Sequence, residues 1–142
     1  MNKFDCEISL LTKVLEQEPD NERYMFYLAE FYRNSKQYRS AIEWYQKRID
    51  RGGWQEETWY ARYMIGACHE ALGELSEATV AYLDAYTDRP TRAEPLHDLA
   101  RLWTVKGNPR LGYFLAKRAS EVPTYRRCAL YQSQGVRVLN DC

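Results

Sequence analysis

Two histidines, four cysteines and twenty carboxylates are the groups in this 142-residue chain that could hold a metal or move a proton, and their spacing favours neither. A helical zinc site needs a second imidazole one turn after the first. His69-Glu70 runs instead into Ala71-Leu72-Gly73, and His97 stands far along the chain. Cys6, Cys68, Cys128 and Cys142 are 62, 60 and 14 positions apart, whereas zinc ribbons and redox pairs place two thiolates within a few residues. Reduced thiols are expected, with Cys6 and Cys142 the exposed ones. Gly52-Gly53 is followed by Trp54 rather than by a phosphate-loop lysine, and there is no Gly-x-Ser-x-Gly elbow and no Asp-x-Asp pair. Glu56-Glu57 reads as a first-turn acidic pair favoured by a helix dipole. The expectation is a protein that is not an enzyme, with no catalytic residue, no metal and no cofactor.

Two stretches could bind rather than react. Arg89-Pro90-Thr91-Arg92-Ala93-Glu94 has the form of a helix-entry turn, with Thr91 as N-cap and Glu94 as its capping-box partner. That accounts for Thr91 and Glu94 and leaves Arg89 and Arg92 to hold a carboxylate, a phosphate or sugar hydroxyls. The structural reading is preferred, and Arg92 is the better ligand candidate of the two. Trp54 and Trp59 could stack on a sugar face or on a partner's arginine. Burial is the preferred reading for them.

What positions these residues is a repeat. Gly66, Gly73, Ala78 and Tyr82 recur thirty-four positions on as Ala100, Gly107, Gly112 and Ala116, and the same order appears earlier as Ala29, Lys36, Ala41 and Tyr45. Thirty-four is the period of the tetratricopeptide repeat, a helix-turn-helix unit. Small side chains let two helices approach, and Ala29, Gly66 and Ala100 fall midway along the first helix of each unit while Ala41, Ala78 and Gly112 begin the second. Leu28, Ile65 and Leu99, with Tyr32, His69 and Trp103, fill the same helical face. His69 is therefore expected to be packed or half-buried, and His97 to lie on the other face of its helix. Between the first two units the displacement is thirty-seven, so three residues are inserted. The paired glycines place that extra length in a loop at Arg51-Gly52-Gly53-Trp54.

The expected fold is all-α, a tetratricopeptide-repeat (TPR) right-handed α-solenoid of about three and a half repeats in a single domain. A half repeat spans 3–19, repeats span 22–53, 56–90 and 91–123, and 124–142 forms a C-terminal cap or extension. Helices are expected near 3–17, 22–34, 38–51, 56–72, 75–88, 92–106 and 109–121, with Asp20 or Asn21 as an N-cap and Pro109 in the first turn of the last. Beyond Pro123, Tyr131, Val136, Val138 and Leu139 suit a short helix and an extended end around Gly135.

Formal net charge is zero, from 20 basic and 20 acidic residues, so no overall field favours nucleic acid or an anionic membrane. No apolar run approaches the ~20 residues of a membrane span. Asp5 and Glu7 stand where a secretory leader would need apolar residues, which makes a cytoplasmic location the expectation. In stacked helix pairs the first helices line the concave face. The predicted groove is thus Arg23, Phe26, Glu30 and Arg33, then Tyr60, Tyr63, Ala67 and Glu70, then Glu94, His97 and Arg101. Phe26, Tyr27, Tyr60 and Tyr63 suit packing between repeats equally well. The clamps that hold chaperone C-termini need Lys and Asn where this chain has Phe26 and Glu30, so that ligand is not expected.

Some strings exceed the thirty-four-residue template. Gly52-Gly53-Trp54-Gln55-Glu56-Glu57 with Trp59-Tyr60-Ala61, Ala81-Tyr82-Leu83-Asp84-Ala85-Tyr86, and Arg89-Pro90-Thr91-Arg92-Ala93-Glu94-Pro95-Leu96 resemble the tetratricopeptide region attached to a class of bacterial and viral glycosyltransferases. The resemblance runs over nearly the whole chain. Catalysis does not carry over, because the sugar-transferring domain of that family is a separate α/β unit with an Asp-x-Asp motif. What the resemblance implies is an accessory module whose partner is a glycosyltransferase domain, its acceptor or a glycan, with Trp54, Trp59, Arg89 and Arg92 as a loop-face site. The other expectation is a scaffold whose groove takes a protein or peptide partner of some acidic character.

Overall fold

Three turns in this chain end their helices the same way. The computed structural model describes residues 2–122, and within them seven α-helices and no strand occur: α1 (Lys3–Gln17), α2 (Glu22–Asn34), α3 (Tyr38–Arg51), α4 (Gln55–Ala71), α5 (Leu75–Asp88), α6 (Glu94–Val105) and α7 (Pro109–Ser120). Helices α2, α4 and α6 each close in paired hydrogen bonds from the two residues past the cap. Lys36 and Gln37 N–H donate to the Arg33 and Tyr32 carbonyls, Gly73 and Glu74 to those of Glu70 and His69, and Gly107 and Asn108 to those of Thr104 and Trp103. That pattern needs a left-handed residue, and φ is +75° at Gly73, +97° at Gly107 and +65° at Lys36. Lys36 bears the steric strain of a side chain there, about 1–2 kcal/mol, against which glycine loses about 0.5–1 kcal/mol of chain entropy. Lys36→Gly should therefore raise the unfolding free energy by up to about 1 kcal/mol, read from urea midpoints.

The helix starts are capped by side chains where the sequence provides them. Asn2 and Asp5 form a reciprocal capping box on α1, so the early acid serves a helix end. Asn21 rather than Asp20 caps α2, accepting from Tyr24 N–H at 3.1 Å, and Asn108 caps α7 ahead of Pro109. At α6 the expectation fails. The helix begins at Glu94 behind Ala93, with no side-chain cap and Pro95 in its first turn, so Thr91 and Glu94 form no capping box.

The inserted residues are not in the loop either. Only Gly52, Gly53 and Trp54 separate α3 from α4. Helix α2 runs seven positions from its start to Ala29, whereas α4 runs eleven from Gln55 to Gly66, so the extra length forms an added turn at the start of α4. The glycines supply only the bend.

The chain divides into two compact units, Met1–Ala78 and Thr79–Cys142. In the first, α1, α2 and α3 pack in order around Leu15, Met25 and Leu28 with Ile8, Leu11, Tyr24, Tyr32 and Trp44 at their edge, and α3 packs on α4. In the second, α6 packs on α7. The small residues of the repeat are buried throughout: Ala29, Ala41, Gly66, Ala78, Ala100 and Gly112. The fourth position is not uniform. Tyr45 and Tyr82 are buried, but Ala116 is exposed and Leu115 takes the interior place in α7. The expectations for Pro123 and 124–142, and for Cys128 and Cys142, lie outside the described residues.

Candidate functional site

Helices α2 and α4 bring five of the predicted groove residues together in the first unit. Arg33 Nε donates to Tyr45 Oη at 3.1 Å, Arg33 Nη2 donates to Glu30 Oε2 at 3.1 Å, and the Tyr45 hydroxyl donates to Glu30 Oε1. Next to this network runs a series of rings. Phe26 meets Tyr45 edge-on at 6.2 Å and Tyr60 at 5.8 Å, Tyr60 lies parallel to Tyr63 at 6.4 Å, and Tyr63 meets Trp59 at 5.7 Å. Such offset and edge-on pairs hold rings in fixed orientations.

Burial sets the chemistry of this cluster. It pushes the Tyr60 hydroxyl up to about 12, with the nearby Glu30 charge adding to it, and pushes the Cys68 thiol up to about 12 as well. Tyr45 is raised by burial and then by Glu30. Burial opposes the charge on Arg33, yet Tyr45 and Glu30 outweigh it and hold the guanidinium above its usual value. At neutral pH the tyrosines and thiol are protonated and the arginine is charged, so the site offers hydrogen-bond donors and apolar rings beside the accepting oxygens of Glu30.

The remaining predicted groove residues have other surroundings. Arg23 is exposed and donates to Tyr27 Oη at 3.0 Å. Ala67 and Glu70 are half-buried further along α4. His97, Arg101 and Glu94 belong to α6 in the second unit. There the His97 side chain is exposed, 4.0 Å from Asp98, and Arg101 reaches the same carboxylate at 3.9 Å. His69 is half-buried, as its place in the repeat predicts, with Nδ1 3.0 Å from Glu74, whose carboxyl is held low by Arg39 and then His69.

Burial divides the loop-face residues. Trp59 is 0% exposed, in keeping with the reading of it as buried, and cannot stack on a sugar, whereas Trp54 departs from that reading at 53% exposed ahead of α4. Arg92 is 3% exposed, so it is not left for a ligand in solvent, and Arg89 is half-buried.

A buried ion pair was not anticipated at all. Arg48 Nε donates to Glu57 Oε1 at 2.6 Å, Arg48 Nη1 donates to the Gly52 carbonyl, and Arg48 is 1% exposed. Glu57 is therefore not a solvated first-turn acid. A signal did exist: by the same displacements Arg48 corresponds to Val14, Ala85 and Ala119, apolar in every other unit. A cation in that series must be buried with a partner. The added turn of α4 carries Glu57 to it. Among the described residues no group of three or more His, Cys, Asp or Glu side chains converges as a metal site would, and no helix is long and apolar enough to cross a membrane.

The chain is similar in structure to several MamA structures. A crystal structure of MamA gives a TM-score of 0.72 at 20% identity, covering 94% of this chain and 80% of that one. A crystal structure of MamA protein gives 0.71 at 21%, covering 94% and 75%, and a MamA RS-1 ArsTM double mutant gives 0.72 at 16%, covering 94% and 68%. At these identities the likeness establishes the fold alone, all-α and of tetratricopeptide type. The glycosyltransferase resemblance gains no support from it. No curated protein matches the sequence. A family model does match, over residues 1–85, the stretch that contains the α2–α4 cluster: the chain belongs to the family described as anaphase-promoting complex, cyclosome, subunit 3.

Proposed function

We propose that this chain is a non-catalytic scaffold that holds a segment of a partner protein against the α2–α4 face of its first unit. The observation that carries this reading is the run of Phe26, Tyr60 and Tyr63 beside the held guanidinium of Arg33. Rings and arginine are the composition of interaction hot spots, and here their orientations are set before a partner arrives. The family description, a subunit of a complex, supports an assembly role. The alternative, an accessory module of a glycosyltransferase that binds glycan or acceptor, keeps Trp54 as its exposed aromatic.

Tyr63 is half-buried, packed on Tyr60 and Trp59, so its truncation is read together with the melting temperature. Affinity capture with the wild-type chain and with Tyr63→Ala, compared by quantitative mass spectrometry, should show specific partners reduced about tenfold or more by the variant at an unchanged melting temperature. Full retention by Tyr63→Ala would overturn the α2–α4 reading. Loss on Trp54→Ala alone would move the site to the loop and favour the glycan reading.

A further inference from the structure

We propose that Arg33 and Tyr60 form a subsite for a side-chain carboxylate on an extended segment of a partner protein, an inference that rests on the α2–α4 reading above. Glu30 has both oxygens engaged, one by Tyr45 and the other by Arg33. The Tyr45 hydroxyl donates to Glu30 and accepts from Arg33, which uses its one proton and one of its lone pairs. Every acceptor atom of the network is thus already engaged by one donor. The network stays open on its donor side: Arg33 Nη1 bonds nothing among the described residues, and neither does the Tyr60 hydroxyl. The Arg33 side chain keeps 28% of its surface in contact with solvent, and Tyr60 lies deeper, at 7% exposed.

Unused donors on a cationic, half-buried group select a ligand that only accepts. A carboxylate meets a guanidinium face with two parallel bonds, and the lowered local dielectric strengthens each of them. The fixed geometry matters as much as the charge. Tyr45 and Glu30 hold two of the three guanidinium nitrogens, so little side-chain freedom is left to lose when the third is bound. Phe26 touches Tyr60 and also Tyr45, the residue that accepts from Arg33, and its ring offers apolar surface for the residue next to the acid. Glu30 neutralises part of the arginine's charge, so the subsite discriminates by donor geometry more than by long-range attraction. Salt dependence is accordingly shallow.

Two synthetic probes test this, acetyl-Phe-Asp-Phe-amide and its Asn counterpart, titrated into the full chain while the Arg33 Nε–Hε and Tyr60 ring resonances are followed by NMR. The Arg33 signal is assigned by its loss in Arg33→Lys. The Asp peptide should shift both signals saturably and bind about tenfold more tightly than the Asn peptide. Arg33→Gln should bring that preference below about threefold, and so should Tyr60→Phe, which keeps the ring and the fold and removes only the donor. Equal binding of the two peptides would overturn the carboxylate subsite while leaving the α2–α4 face as a binding surface. Binding of neither would overturn both. An Asp preference that survives Tyr60→Phe and Arg33→Gln would place the acid elsewhere and overturn the assignment.

Discussion

Glu57→Ala is expected to lower the unfolding free energy by about 3–5 kcal/mol, among the largest effects of any single substitution in this chain. The cause is what remains behind. Arg48 stays 1% exposed with its guanidinium still charged, keeping only the Gly52 carbonyl and Glu22 at 4.0 Å. Neither replaces a carboxylate at 2.6 Å. Urea unfolding followed by far-UV circular dichroism measures the loss, and Glu57→Gln, which retains an acceptor, should lose distinctly less. The pair itself is not the source of stability. Two charges removed from water lose hydration that their attraction only roughly repays, so the double variant Arg48→Met with Glu57→Leu should recover most of the wild-type value. A double variant as unstable as Glu57→Ala would show that the pair contributes net stability rather than only requiring its own completion.

Gly112→Ala should destabilise the second unit although it adds a better helix former. In an open helix that replacement gains about 1 kcal/mol. Here the new methyl group would lie 2.0 Å from Thr104 Oγ1, 3.0 Å from the Ala100 carbonyl oxygen and 3.1 Å from Thr104 Cβ. Thr104 cannot simply turn away without loss, because its hydroxyl donates to Ala100 O at 2.8 Å. Helix α7 must move off α6, and overpacking of this kind costs about 1–3 kcal/mol, enough to reverse the sign of the propensity gain. Thermal unfolding of Gly112→Ala, Thr104→Ala and the double variant reads this directly. Thr104→Ala removes the 2.0 Å contact and should rescue part of the loss, whereas strict additivity of the two changes would mean that the helices do not meet at these residues.

Periodicity in the amino-acid sequence determines most of this architecture. Small residues at fixed displacement identify where helices touch, and Gly73, Gly107 and Asn21 mark ends and starts by their own backbone and hydrogen-bonding preferences, which act over four or five residues. Helices α1, α2, α3 and α5 fall on their expected spans, and the other three within two residues of theirs. The same reasoning failed where the deciding contact is remote along the chain. Glycines at 52 and 53 announce a bend but do not say whether three further residues prolong the loop or the helix after it; burial against α3 decided for the helix. Trp54 and Trp59 are alike in type and five positions apart, yet one is half exposed and the other wholly interior, because the added turn sets which side of α4 meets α3. Thr91 and Glu94 have capping-box spacing and no capping box, since Pro95 and Ala93 define the start of α6. Repeat, helix count and the absence of known catalytic motifs were properties of the amino-acid sequence alone. The joining of Arg33, Tyr45, Glu30 and Tyr60, and of Arg48 with Glu57, belongs to tertiary structure, because a polar side chain's partner depends on which surfaces packing has closed to water.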